Sequence, residues 1–294
     1  MITASHLTVY YGQHPALLDV SLKLQASQVV GLLGQNGAGK TTLLKTLARL
    51  NEPGSGHVEH HAACAFLPET PPVYGHLSVR EHLEHCAHVQ GIQRAQVPRR
   101  VAQAMEWGHL TDHADVLAGA LSHGYTKRLG LAQCLLQPPE VLLLDEPLLG
   151  LDPTQVHHMK SLLADLAERG CAVVISSHML RHVQDICQRA LILHEGQLVA
   201  DQPVEAPRQG TQRFQMSVQA HHDPQALVEA LTQAGATDIE HDEEDQGLRA
   251  RFLLEPQARA RACRNVVEAG LGLTSMAACP TDLEALFLSL TAPQ

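Results

Sequence analysis

Val29-Val30-Gly31-Leu32-Leu33-Gly34-Gln35-Asn36-Gly37-Ala38-Gly39-Lys40-Thr41 joins a short apolar run to a glycine-rich turn, and a helical pattern follows to Leu50. Strand, glycine loop and helix in that order are the context a polyphosphate cradle requires. Gly34, Gly37 and Gly39 allow backbone N–H groups to turn inward, and the helix N-terminus adds its positive end. Lys40 can then reach the outer phosphates, while the Thr41 hydroxyl can ligate Mg²⁺. Asn36, Ala38 and Thr42 complete the candidate phosphate-binding set. The helix is expected over residues 41–50, ended by Asn51, Pro53 and Gly54.

Val141-Leu142-Leu143-Leu144-Asp145-Glu146 supplies a matching second half. Four apolar residues put Asp145 at the carboxyl end of a buried strand, the edge at which open parallel sheets bind ligands. Asp145 can hold Mg²⁺ through water, and Glu146 can accept a proton from an attacking water.

The remaining chain narrows the class. Of its 294 residues, 45% are hydrophobic and 18% charged, the balance of a folded globular protein. A formal net charge of -10 offers no basic face for a phosphate backbone, so nucleic acid is not an expected partner. Apolar runs such as Val29–Leu33 fall far short of the roughly 20 residues of a membrane helix. Met1 to Tyr10 lacks the basic flank and apolar stretch of a signal peptide, which points to the cytoplasm. Seven scattered cysteines, none spaced C-x-x-C, read as reduced, mostly buried small hydrophobes. The 20 histidines include His82, His85 and His88 around Cys86; they read as a solvated helix face, with His82 and Cys86 at i,i+4 as a metal alternative.

Leu121-Ser122-His123-Gly124-Tyr125-Thr126-Lys127-Arg128 begins 24 residues before Asp145 (145 minus 121), Leu151-Asp152 follows Glu146-Pro147, and Ser177-His178 puts a histidine 32 residues after Glu146 (178 minus 146). With the phosphate loop and the acidic pair, these motifs resemble the ABC ATPase family in its own order, over about residues 1–205. The resemblance implies a P-loop NTPase of ABC ATPase type that binds ATP and Mg²⁺. Tyr11 matches the aromatic that stacks on adenine, and Asp152 the D-loop carboxylate. Ser122 and Gly124 match the signature donors that one subunit presents to its partner's γ-phosphate, and His178 the switch histidine acting with Glu146. Glu69, in Phe66-Leu67-Pro68-Glu69, stands where most of the family has glutamine. A carboxylate there can bind water or Mg²⁺, and it is assigned to coupling with the membrane partner before catalysis. His123 replaces a signature glycine, a change expected to slow closure; Tyr125 replaces a glutamine, and the stretch from Gly56 to Pro68 is short for the family.

The function so implied is an ATP-hydrolysing subunit that drives a separate membrane-spanning permease. It pairs with a second ATPase subunit, most simply a copy of itself, on the inner face of the cell membrane. The Leu-Ser-x-Gly-Tyr form, Leu-Pro-Glu and the ending Asp282-Leu283-Glu284-Ala285-Leu286-Phe287 resemble the branch of bacterial drug, lipid and polysaccharide exporters. An importer subunit with a regulatory C-terminal domain and an ATP-gated clamp of negligible turnover are the alternatives.

Two domains are expected. Residues 1–205 form the nucleotide-binding α/β domain with a helical subdomain over about 70–135, and residues 201–210, with Pro203, Pro207 and Gly210, read as a linker. Residues 206–294 then change rhythm to βαββαβ and a closing helix at 281–290, a small α+β module of ferredoxin-like order.

Overall fold

β1 (Ile2–Tyr11) and β2 (His14–Leu24) pair antiparallel before the chain enters β3 (Gln28–Leu33), the phosphate loop and α1 (Lys40–Leu47). The computed structural model describes residues 1–204, 212–219, 224–244 and 247–278, and the chain divides into two units, Met1–Val204 and Glu205–Gln294. β4 (Ser55–His60) returns to β1, closing a three-stranded antiparallel sheet in the order β2-β1-β4. The stretch from Gly56 to Pro68 adds only the rest of β4 and the short β5 (Cys64–Leu67).

Three helices then form a separate layer: α2 (Val79–Val89), α3 (Val97–Trp107) and α4 (His123–Leu135). α2 starts at Ser78 because a capping box closes there: the Ser78 hydroxyl accepts from the Glu81 N–H, and the Glu81 carboxylate from the Ser78 N–H. Val79, Leu83, Val101, Met105, Leu129 and Leu136 build an apolar core for this layer. β6 (Val141–Leu144), α5 (Pro153–Glu168), β7 (Ala172–Ser177), the short α6 (Leu180–Gln184), β8 (Arg189–His194) and β9 (Gln197–Pro203) complete the unit.

The larger sheet has the order β5-β6-β7-β3-β8-β9, parallel except for β9. Strands buried on both faces carry no polar alternation, which is why 141–144 and 172–177 read as unbroken runs. Because β3 lies between β7 and β8, the loop after β3 opens at the carboxyl edge, beside the ends of β6 and β7. Leu43, Leu44 and Leu47 of α1 share a core with Ile2, Leu17 and Leu24 of the antiparallel sheet and Val30, Leu32 and Val174 of the parallel one.

In the second unit β10 (Gln212–Gln219), α7 (Pro224–Gln233), β11 (Thr237–Glu244), β12 (Gly247–Leu254), α8 (Arg259–Glu268) and β13 (Leu273–Ala278) follow one another. Their sheet is antiparallel in the order β11-β12-β10-β13, the split βαβ arrangement, over a core that includes Phe214, Met216, Leu231, Phe252 and Val266. The closing helix expected at 281–290 and the motif Asp282–Phe287 lie outside the described residues. No helix among the described residues is long and apolar enough to cross a membrane.

Three local expectations change. α1 stops at Leu47 instead of Leu50, because Arg49 turns left-handed (φ 56) and the Leu50 N–H bonds back to the Lys45 carbonyl at 2.8 Å, a Schellman closure. Asp201, Gln202 and Pro203 belong to β9 and not to a linker: Asp201 holds the Arg189 guanidinium by two bonds, at 2.6 and 2.5 Å, from the neighbouring strand. His82 and Cys86 lie on the buried face of α2, while His85 and His88 remain exposed. The Tyr74 N–H points at His82 Nδ1 from 3.3 Å, which leaves Nε2 as the protonated nitrogen beside Gln133 Oε1 at 3.4 Å. Neither ring nitrogen keeps a lone pair for a metal, and no group of three or more metal-ligating side chains occurs among the described residues.

Burial holds the pKa of His82 below its ordinary 6.5, a shift that His85 reinforces and the Gln133 hydrogen bond opposes. His109 is lowered by burial and then by His158, stacked on it at 4.7 Å, and by Arg128. His60 is lowered by burial and by Arg49. A depressed histidine pKa means that the unfolded chain takes up protons the folded chain refuses, so stability present above pH 6.5 is lost as the pH falls through it. The melting temperature is therefore expected to drop between about pH 7.5 and about pH 5.5, with a shallower drop in His82→Gln, and an unchanged melting temperature across that interval contradicts the assignment.

Candidate functional site

Gly39 ends the phosphate loop at φ 102, and a Cβ there would stand 2.5 Å from the Ala16 carbonyl oxygen. Only glycine fits that approach, so the loop closes against β2 and α1 starts at Lys40. The tip of the β8–β9 hairpin supports the same loop, its Gly196 N–H donating to the Ala38 carbonyl at 3.1 Å. Glu195 and Gly196, both left-handed at φ 47 and φ 78, give that hairpin its two-residue turn.

Lys40 folds back across the loop, its ammonium donating to the carbonyls of Gly34 at 2.8 Å and Gln35 at 3.1 Å. Burial lowers its pKa, and the carboxylates of Glu146, Asp145 and Glu69 oppose that shift. Glu146 Oε1 lies 3.9 Å from the Lys40 ammonium and 3.0 Å from His178 Nδ1. An ionised carboxylate only accepts, so Nδ1 is the protonated nitrogen of His178 in this arrangement.

A hydrogen-bond chain joins the loop to the acidic pair. The Thr41 hydroxyl donates to Asp145 Oδ2 at 2.7 Å, and the Ser176 hydroxyl donates to Asp145 Oδ1 at 2.7 Å. The Ser176 oxygen also accepts the Glu146 N–H at 2.8 Å. Ser176 is wholly buried at the end of β7. Sequence reading missed it, because a serine ending an apolar strand looks like any strand terminus until β6 and β7 are neighbours.

Tyr11, Asn36, Gly37, Gly39, Lys40, Thr41 and Thr42 line one cavity of ≈ 310 Å³ together with Glu69, Asp145, Glu146 and Ala16. Tyr11 stands at its edge, exposed, with its hydroxyl accepting from Asn51 Nδ2 at 3.0 Å. Gly34 and Ala38 belong to the loop but, like His178, do not line the cavity, whereas Ala16 is a lining residue that no motif announced. Thr41, Asp145 and Glu69 all line this cavity, and their oxygens are the donor type that a hard cation such as Mg²⁺ takes.

Ser122, Gly124 and Asp152 do not line this cavity. Ser122 is exposed and caps α4, its hydroxyl accepting the Tyr125 N–H at 3.5 Å. Gly124 is buried: a Cβ on it would meet Gln155 Oε1 at 2.3 Å, so its missing side chain makes room for α5. Asp152 caps α5, accepting the Gln155 N–H at 2.8 Å. The exposed His123 ring lies over Gly150, where a Cβ would meet it at 3.0 Å. Desolvation pushes the thiols of half-buried Cys64 and buried Cys171 up to about 11 and of half-buried Cys134 up to about 12, and raises those of buried Cys86 and Cys187, which disfavours the reactive thiolate.

Residues 17–149 match the family described as ABC transporter. The bacitracin transport ATP-binding protein BcrA of Bacillus licheniformis is 33% identical over 227 residues, 73% of this chain and 73% of that protein. The lipopolysaccharide export system ATP-binding protein LptB of Acidithiobacillus ferridurans is 33% identical over 220 residues, 70% of this chain and 91% of that protein. Among solved structures, a dimeric ATP-binding cassette in a post-hydrolysis state bound to ADP and Pi has the same fold at a TM-score of 0.65 and 21% identity, over 70% of this chain and 99% of that one.

Replacing Ser176 by alanine strands the buried Glu146 N–H, a loss of about 1–3 kcal/mol for an unsatisfied buried donor. Denaturant unfolding is expected to show this loss together with reduced ATP turnover, and a Ser176→Ala protein with parental stability contradicts the geometry.

Proposed function

The chain belongs to the ABC transporter family of ATP-binding proteins, and on that premise we propose that Glu146 is the base of its ATPase reaction, oriented by His178, within a subunit that powers export. ATP binding, ATP hydrolysis, dimerisation and service to a membrane-spanning permease come with membership of the family. The finer reading rests chiefly on one observation: the Glu146 carboxylate is held 3.0 Å from His178 and 3.9 Å from Lys40 at the mouth of the phosphate loop.

Loop amides and Lys40 bind the β- and γ-phosphates, and Tyr11 stacks on the adenine. Thr41 and Asp145 hold Mg²⁺, with Glu69 at the same edge; the ion, when bound, neutralises phosphate charge. A water between Glu146 and the γ-phosphorus gives its proton to a Glu146 oxygen as its own oxygen attacks phosphorus. The bond to the bridging oxygen breaks and ADP leaves with the electron pair. His178 donates to Glu146 and keeps the carboxylate aimed.

Ser122 serves the partner's nucleotide, since it is exposed and stands outside its own chain's cavity. A second copy of this chain facing it in two-fold symmetry closes both sites, and Asp152 lies near that seam. Gly124 joins the contact once Gln155 withdraws. Hydrolysis removes the γ-phosphate that Ser122 grips, so the closed dimer loses the interaction favouring it and reopens. The work is delivered to a permease from the cytoplasmic face of the membrane. Export is favoured because BcrA and LptB, named for bacitracin transport and lipopolysaccharide export, are among the relatives.

Glu146→Gln keeps the shape of the base and removes its proton affinity, so ATP should still bind while turnover falls at least about a hundredfold and a nucleotide-bound dimer accumulates in size-exclusion chromatography. Parental turnover in that variant contradicts the role of Glu146. Lys40→Ala should instead weaken ATP binding itself, by about tenfold or more in calorimetry, and an unchanged affinity contradicts the phosphate assignment.

A further inference from the structure

A fully enclosed lysine is rare unless its charge is satisfied, and Lys127 of α4 is 1% exposed. Its ammonium donates to the Glu146 carbonyl at 2.6 Å and to the Leu149 carbonyl at 2.9 Å. Glu146 is left-handed at φ 46, a conformation that a residue with a side chain keeps only when its surroundings impose it. Both ends of Glu146 are clamped: Ser176 holds its N–H at 2.8 Å, and Lys127 holds its C=O. Lys127 follows Ser122, the cap of the same helix, by five residues (127 minus 122), about 7.5 Å along a rigid axis. Leu149, the second acceptor, leads through Gly150 to Asp152.

We propose that Lys127 is a positioning residue that ties the backbone of Glu146 to the helix carrying Ser122, so that gripping the partner's nucleotide and aligning this chain's own base are one movement. The inference rests on the roles given above to Glu146 and Ser122. Lys127 does not line the nucleotide cavity. It acts by fixing where the Glu146 side chain departs from the chain, and a helix displaced at its Ser122 end carries that attachment with it. A side chain that keeps a donor at its tip preserves part of the link, and one without a donor removes it.

ATP turnover of the ATPase–permease complex tests the proposal with Lys127→Met, which nearly keeps length without an N–H donor, and Lys127→Gln, which keeps an N–H donor group on a shorter side chain. Lys127→Met should lower kcat about tenfold or more with KM for ATP within about twofold, and Lys127→Gln should lower it only about threefold. A parental kcat in Lys127→Met, a KM change accounting for the whole loss, or a Lys127→Gln no better than Lys127→Met overturns the proposal. Should the methionine variant not fold, Lys127→Gln decides alone: a kcat loss at constant KM supports the link, and a parental kcat overturns it. Glu146→Gln measured alongside separates the two levels of argument. If it turns over at the parental rate, the base assignment fails; if it is inactive while Lys127→Met is fully active, only the role of Lys127 fails.

Discussion

Asp145 accepts two hydroxyl hydrogen bonds, from Thr41 and from Ser176, each at 2.7 Å, and the site is assembled around that carboxylate. Thr41 lies in the first turn of the helix after β3, Asp145 directly follows β6 and Ser176 lies near the end of β7, so one side chain joins three elements at the carboxyl edge of the sheet. A carboxylate in that buried place is tolerable only with its acceptors filled. Filling them also sets the next residue, because the Ser176 oxygen that donates to Asp145 receives the Glu146 N–H. The two acids proposed to hold the metal and accept the proton are thereby placed by one short network.

Electrostatics at the loop follow from the same crowding. Lys40 and Lys127 both lose proton affinity to burial and recover part of it from Glu146, Asp145 and Glu69. Lys40 shares one cavity with the three carboxylates, of which Asp145 and Glu146 are buried and Glu69 is exposed, while Lys127 lies behind it on the Glu146 and Leu149 carbonyls. Preorganisation of this kind is the larger part of catalysis in phosphoryl transfer, where positioning and charge do most of the work.

The helical layer is tied to this edge from the side. α4 begins at exposed Ser122 and reaches inward through Lys127, whereas Gly124 yields its space to Gln155 of α5. An exposed serine at its start and a buried lysine on the Glu146 carbonyl sit on this one helix, the geometry from which the proposed link between the two sites of a dimer is argued. The His109–His158 stack adds a second contact between the end of the helical layer and α5.

Much of this was legible in the residues. Val29–Thr41 determined a strand, a phosphate loop and a helix by apolar run, glycine spacing and a terminal Lys-Thr, and Val141–Glu146 determined a buried strand ending in acids. Hydrophobic rhythm likewise gave βαββαβ in the second unit, because local periodicity records which face of each element is buried. Element ends were less legible: Arg49 turns left-handed without being glycine, and Asp201 stays in a strand because Arg189 faces it from β8. Only tertiary structure decided the rest. That His82 is buried with both nitrogens engaged, that Ser176 bridges Asp145 and Glu146, and that Lys127 holds the Glu146 carbonyl depend on contacts between residues 31, 19 or more positions apart or on neighbours from other elements. A linear pattern reports the periodicity of an element and the chemistry of its side chains; which donor meets which acceptor across two strands or from helix to loop is set by packing, and packing is a property of the folded chain.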